Sequence, residues 1–276
     1  MHDRSVVLRG QRFHYTEWGE PSAPAVVLLL HGITGHARAW DGEGGALAPR
    51  FRVLALDQRG HGDSDPAPDG DYTLAAMGGD LAAFVDALAL GPLSVVGLSM
   101  GGRVAITYAA DHPERVERLM VIDIGPEIAA AGQKRVLGAM AHSPERFASA
   151  EEAMAYARAT NPRYTDALLR HRIRHDLRAL PDGGFTWKYD RALREQVRAG
   201  GRREPLDLWS RWAALECPTL LVRGAESDIL SPEIAKRMLE ALPDARLIEV
   251  PGAGHTVPGD QPGQFQALLR DFLGWP

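Results

Sequence analysis

Short, mainly apolar runs dominate the hydrophobic pattern of the chain. They fall at residues 25–30, 52–56, 93–96, 118–124, 219–223 and 246–250. Runs rich in Val, Ile and Leu without strict alternation predict strands buried on both faces of a parallel sheet. Two more strand-like runs, 5–9 and 13–18, open the chain and are joined through Gly10. Between these runs the spacing changes. Leu74, Met77, Leu81, Phe84, Val85 and Leu88 recur at helical intervals, and residues 231–242 and 264–273 also read as helices. Alternation of strand and helix predicts an α/β layered fold with right-handed crossovers.

One stretch breaks this rhythm. From residue 127 to 214 no strand is predicted. Ser149-Ala-Glu-Glu152 reads as a capping box that opens a helix running to Pro162. A second helix is predicted over 164–180, with weaker ones over 191–199 and 206–215. The expected organisation is a sheet domain in two parts, 1–126 and 215–276, interrupted by a helical cap at 127–214. Such an insertion is expected over the carboxyl edge of the sheet, where α/β folds hold their sites.

Composition narrows the partners. The 276 residues are 45% apolar and 24% charged, ordinary for a globular chain. A net charge of −5 and the lack of a basic tail argue against nucleic acid. The longest apolar run, 25–30, is too short to span a membrane, and the N-terminus has no core of signal-peptide length. A cytoplasmic location is the default expectation. Cys217 is the single cysteine, so neither an internal disulfide nor a cysteine metal cluster can form. Nothing in the sequence sets the oligomeric state.

The chemistry centres on Gly97-Leu-Ser-Met-Gly101, which falls between the apolar run at 93–96 and a predicted helix from Met100. A G-x-S-x-G placed at a sharp strand-to-helix turn is the context of a nucleophile elbow, and makes Ser99 a candidate nucleophile. The helix start offers free N–H groups to a developing oxyanion. Met100 N–H is one expected donor. Ile33 N–H, in the loop His31-Gly32-Ile33-Thr34-Gly35 after the run at 25–30, is the other. A phosphate-cradling role for that loop lacks the P-loop lysine and any G-x-G-x-x-G.

A serine hydroxyl needs a base, and the base needs an orienting acid. His255, in the Gly-rich loop Pro251-Gly-Ala-Gly-His-Thr-Val after the run at 246–250, is the leading base. His142, His171 and His175 are expected at the surface of the insertion, and His61 in a structural turn. Two carboxylates compete as the acid. Asp228 follows the strand at 219–223 and is the preferred choice. Asp123, at the end of the strand at 118–124, is the alternative. His31, Gly32 and Arg103 are expected beside the substrate. The predicted helix at 164–180 carries Arg170, Arg172, Arg174 and Arg178. A solvated face is the simpler expectation for them, and one arginine reaching inward to a substrate carboxylate is the sharper one.

With these elements assembled, the chain resembles the α/β-hydrolase fold family. The order Ser99, Asp228, His255 matches that family's triad order, and His31-Gly32 matches its oxyanion loop. Asp57-Gln-Arg-Gly-His-Gly-Asp-Ser64 resembles a turn of the branch with epoxide hydrolases, dehalogenases and lipase-like esterases. Val121-Ile-Asp-Ile-Gly-Pro126 and Gly184-Phe-Thr-Trp-Lys-Tyr-Asp190 are similar to small bacterial esterases, some of which take their acid from the Asp123 position. The resemblance implies a mostly parallel eight-stranded sheet flanked by helices, with an inserted cap. It implies a serine hydrolase acting on a small carboxylic ester, lactone or amide, with no metal or organic cofactor. Carbon–carbon bond hydrolysis, acyl transfer, perhydrolysis and ligand binding without turnover are the alternatives. A serine in place of an aspartate nucleophile argues against dehalogenase and epoxide hydrolase chemistry.

Overall fold

The apolar runs become the strands of one sheet. A computed structural model of the protein describes residues 1–200 and 206–275. The strands are β1 (His2–Leu8), β2 (Gln11–Trp18), β3 (Val26–Leu30), β4 (Arg52–Leu56), β5 (Leu93–Leu98) and β6 (Val116–Ile122), with β9 (Thr219–Gly224) and β10 (Arg246–Val250) after the insertion. Their order across the sheet is β1-β2-β4-β3-β5-β6-β9-β10. The pairs from β4 to β10 are parallel, and β1 and β2 join antiparallel at one edge.

Side chains alternate across this sheet into two cores. Leu28, Leu30, Val95 and Leu119 face α2 (Leu74–Ala87), α3 (Met100–Asp111) and α9 (Pro232–Ala241). Val27, Leu29, Val96 and Met120 face α1 (Asp41–Leu47), the short α10 (Val257–Asp260) and α11 (Pro262–Phe272). Local signals start these helices. The Thr73 hydroxyl accepts from Ala76 N–H at α2, and the Ser231 hydroxyl from Ile234 N–H at α9, where Pro232 fills the first turn.

The insertion contains α4 (Ala130–His142), α5 (Ala150–Thr160), α6 (Asp166–Asp176), β7 (Leu177–Ala179), β8 (Phe185–Trp187) and α7 (Arg191–Arg198). At the predicted capping box, Ser149 Oγ accepts from Glu152 N–H at 3.2 Å and the Glu152 carboxylate reaches back to Ala148 N–H at 2.6 Å. Phe147, Ala153, Leu169 and Ile173 form a small core of its own.

Two expectations fail here. The segment does contain strands: β7 and β8 pair antiparallel across a turn in which Gly183 and Gly184 have positive φ. Three residues per strand are too few to form an apolar run. The helix expected to reach residue 180 stops at Asp176, where the chain turns into that hairpin. Meanwhile α8 (Leu208–Ala213) packs with the sheet layer. Trp212 is fully buried there and donates from Nε1 to the Met238 carbonyl at 2.7 Å.

Candidate active site

The sequence Gly97-Leu-Ser-Met-Gly101 folds as β5, a one-residue turn and α3. Ser99 adopts φ 53° and ψ −118°, a strained geometry for a residue with a Cβ and one that clusters at functional sites. The surrounding glycines make the turn possible. A Cβ on Gly97 would lie 2.4 Å from the Gly101 carbonyl oxygen, and one on Gly101 2.4 Å from that of Leu30. The turn thus presses α3 against β3 and lifts the Ser99 hydroxyl toward the sheet's carboxyl edge.

His255 arrives on the loop after β10. Its Nε2 lies 3.0 Å from Ser99 Oγ and its Nδ1 2.8 Å from Asp123 Oδ2. Asp123 follows β6 directly, has φ 49°, and is fully buried. Gly224 N–H donates to its Oδ1 at 3.0 Å, and the Ser227 hydroxyl donates to its Oδ2. The preferred acid, Asp228, is therefore not the partner of His255. Its carboxylate turns outward to Arg135 on α4, at 2.6 and 2.7 Å. Those bonds hold its pKa below the usual carboxylate value. The loop after β9 does contribute to the site, one residue earlier and through a hydroxyl. No sequence signal marked Ser227.

The loop 31–36 lies beside this set. Ile33, Gly32 and Ser99 border one cavity of about 540 Å³ beneath the insertion, and Met100 N–H opens α3 next to it. The first N–H groups of a helix have no intrahelical acceptor, which leaves the Met100 N–H, next to Ser99, without one inside α3. Gly32 is tightly placed, since a Cβ there would lie 3.2 Å from that of Ser99.

His31 borders the same cavity, and hydrogen bonds pin its ring. Its ring is 1% exposed; Nδ1–H donates to the Gly32 carbonyl at 2.8 Å, and Nε2 accepts from Gln58 N–H at 3.1 Å. Burial pushes its pKa down to about 3, so the ring is neutral and fixes the loop. The turn at 57–64 supports it from below. Burial raises the Asp57 carboxyl, yet the His14 hydrogen bond and neighbouring donors bring it down to about 2. Its oxygens accept from Ala37 and Asp63 N–H at 2.5 and 2.8 Å.

Arg103 is also not where it was expected. From α3 it donates to the carbonyls of Gly125 and Pro126, at 3.1 and 2.6 Å, and so braces the chain leaving β6. In the insertion, Arg170, Arg174 and Arg178 are exposed. Arg172 alone of the four borders the cavity, beneath Tyr164, with Asp176 Oδ2 at 3.4 Å and the Tyr164 hydroxyl at 3.3 Å. His171 and His175 are half-buried against the sheet layer rather than at the surface. His171 Nε2–H donates to the Arg38 carbonyl at 2.9 Å. Among the described residues no helix is long and apolar enough to cross a membrane.

Known proteins resemble this chain in sequence and in fold. The family described as alpha/beta hydrolase fold matches residues 25–262. A 3-hydroxybutyrate-oligomer hydrolase of Cupriavidus necator is 30% identical, over 95% of this chain and 93% of its own. An esterase of Mycobacterium tuberculosis is 31% identical, over 93% of this chain and 84% of its own. The crystal structure of an E-2-(acetamidomethylene)succinate hydrolase superposes with a TM-score of 0.91 at 27% identity, covering 99% of both chains. A family match across most of the chain, relatives at this identity and a superposable fold place the protein, a hydrolase, in the α/β-hydrolase fold family.

Proposed function

We propose that the protein hydrolyses small carboxylic esters that carry an acid group, through an acyl-enzyme on Ser99. The relay from Ser99 Oγ to His255 to Asp123, at 3.0 and 2.8 Å and open to a cavity, carries this reading. Ser99 Oγ attacks the acyl carbon while His255 Nε2 takes its proton. Asp123 holds Nδ1–H and stabilises the imidazolium. The carbonyl oxygen becomes an oxyanion against Ile33 and Met100 N–H. Collapse expels the alkoxide, which leaves with the proton from His255. Water, deprotonated by the same nitrogen, then releases the acid and restores Ser99.

Arg172 supports an acidic substrate. Its contacts to Asp176 and Tyr164 are long, leaving guanidinium donors for a bidentate carboxylate in the cavity. Arg135 is bound closely by Asp228 and is the poorer candidate. Two relatives bear the names of acid substrates, a 2-(acetamidomethylene)succinate hydrolase and an N-formylmaleamate deformylase. We assign the covering role within 127–214 to α4 through α7, since α8 packs against α3 and α9. The rest, 1–126 and 215–276, is the sheet domain.

The test is a fluorophosphonate label followed by peptide mass mapping, together with p-nitrophenyl butyrate turnover by the wild type and Ser99→Ala. The expected result is one labelled serine, Ser99, and no turnover in the variant. Label on another residue, or turnover that survives in Ser99→Ala, overturns the assignment.

A further inference from the structure

We propose that Asp41, His171 and His175 form a binding site for a divalent transition-metal ion of the Zn2+ class, at the joint between the insertion and the sheet layer. Asp41 opens α1 in the sheet layer; His171 and His175 lie one turn apart on α6. Two histidines at i and i+4 on one helix face form the spacing that places two imidazoles on a single ion. Their rings are 4.8 Å apart between centroids, and His171 Nε2 lies 3.3 Å from Asp41 Oδ2.

One donor atom from each of the three residues lies within 4.8 Å of the other two. A tetrahedral ion about 2.1 Å from each ligand needs them about 3.4 Å apart, a gap that side-chain rotation closes. Two imidazoles and one carboxylate, with a water in the fourth position, are the donor set such ions take.

Charged groups of both signs surround the three residues. Arg38 holds Asp41 through Nε and Nη2, both at 2.8 Å, and also reaches Asp3 at 3.3 Å. A carboxylate has about four lone pairs, so Asp41 can keep Arg38 and still bind an ion. Arg38 then acts as the partner that orients the ligand. Asp3 and Asp176 add negative charge nearby, against the positive charge of Arg38 and Arg172. His171 ligates through Nε2 once tautomer exchange moves its proton to Nδ1, at the cost of the bond to the Arg38 carbonyl.

The consequence is mechanical. The ion would tie α6, a wall of the cavity, to α1 across the joint.

Zn2+ is titrated calorimetrically into chelator-treated full-length protein, with His175→Ala, Asp41→Asn and His255→Ala alongside. Thermal melts check that each variant is folded, and the visible spectrum of bound Co2+ reports the geometry. Expected are about one equivalent of Zn2+ and a tetrahedral Co2+ band. Binding should weaken at least about tenfold in both His175→Ala and Asp41→Asn and persist in His255→Ala. The proposal is overturned if His175→Ala and Asp41→Asn bind as the wild type does. It is also overturned if only His255→Ala loses the ion, or if no saturable binding occurs up to ~100 µM Zn2+.

Discussion

Replacing Asp123 by Asn separates the two candidate acids. The buried carboxylate accepts from three donors: Gly224 N–H, the Ser227 hydroxyl and His255 Nδ1–H. An amide has one accepting oxygen and one donating NH2. The Gly224 N–H cannot reverse, so the oxygen stays there. The Ser227 hydroxyl can rotate, and its bond survives. The new NH2 then faces His255 Nδ1, which must accept, and the proton moves to Nε2. An Nε2–H facing Ser99 Oγ at 3.0 Å cannot take the serine proton. Loss of the correct tautomer in such a relay costs about 10³–10⁴ in kcat, or about 4–5.5 kcal/mol in the barrier. The fold should survive, because each buried polar group keeps a partner.

Asp228→Asn is the matched control. It breaks a pair whose side chains are 39% and 52% exposed, worth about 0–1 kcal/mol in stability. Its kcat should stay within about threefold of the wild type, as exposed ion pairs rarely matter more. Steady-state hydrolysis of p-nitrophenyl butyrate, normalised by active-site titration, reads both variants. A thousandfold loss in Asp228→Asn with less than tenfold loss in Asp123→Asn would refute this account of the site.

Arg172→Gln should raise KM for a monoalkyl succinate about 10–100-fold and leave a neutral ester of equal size within threefold, since it removes a charge-assisted bidentate contact; equal effects on both esters would show that it only disturbs packing. Gly101→Ala should destabilise the protein by about 2–4 kcal/mol in urea unfolding, because the Leu30 carbonyl oxygen 2.4 Å away is backbone and cannot move aside; wild-type stability would mean the elbow is looser than it is drawn. Acid should weaken the fold through His31 and His61, whose pKa values burial lowers to about 3 and about 4. Each resists protonation only when folded, so its contribution is complete above the unfolded value of 6.5 and is lost as pH falls below it. Between pH 7.5 and 5 the loss is about 2 kcal/mol per histidine, partly offset by His14, whose pKa the Asp57 hydrogen bond raises despite burial; urea unfolding that is equally stable at both pH values would sink this assignment.

What the sequence revealed, and what it hid, follows from how local each signal is. The strands were legible because burial on both faces leaves few polar positions in them; Val27 through Leu30 are all 0% exposed. The elbow was legible because two backbone approaches of 2.4 Å admit only glycine, so chemistry and sterics mark the same five residues. His255 stood out for a similar reason, on a Gly-rich loop at a strand end. The acid was not legible, because it depends on one residue of phase. Asp123 and Asp228 both leave the carboxyl ends of adjacent strands, β6 and β9, and each can reach the same edge. Their side chains diverge because Asp123 takes φ 49° and turns its carboxylate under His255, while Ser227, not Asp228, closes the β9 loop over it. Arg135 then satisfies Asp228 from α4, an element whose face is decided only by tertiary packing. Arg172 and Arg174 show the same limit. Two residues apart on one helix, they part into cavity and solvent according to which face of α6 meets the sheet layer. Which side chains of the insertion border the cavity is decided by such long-range choices of face, which the local pattern of α6 does not record.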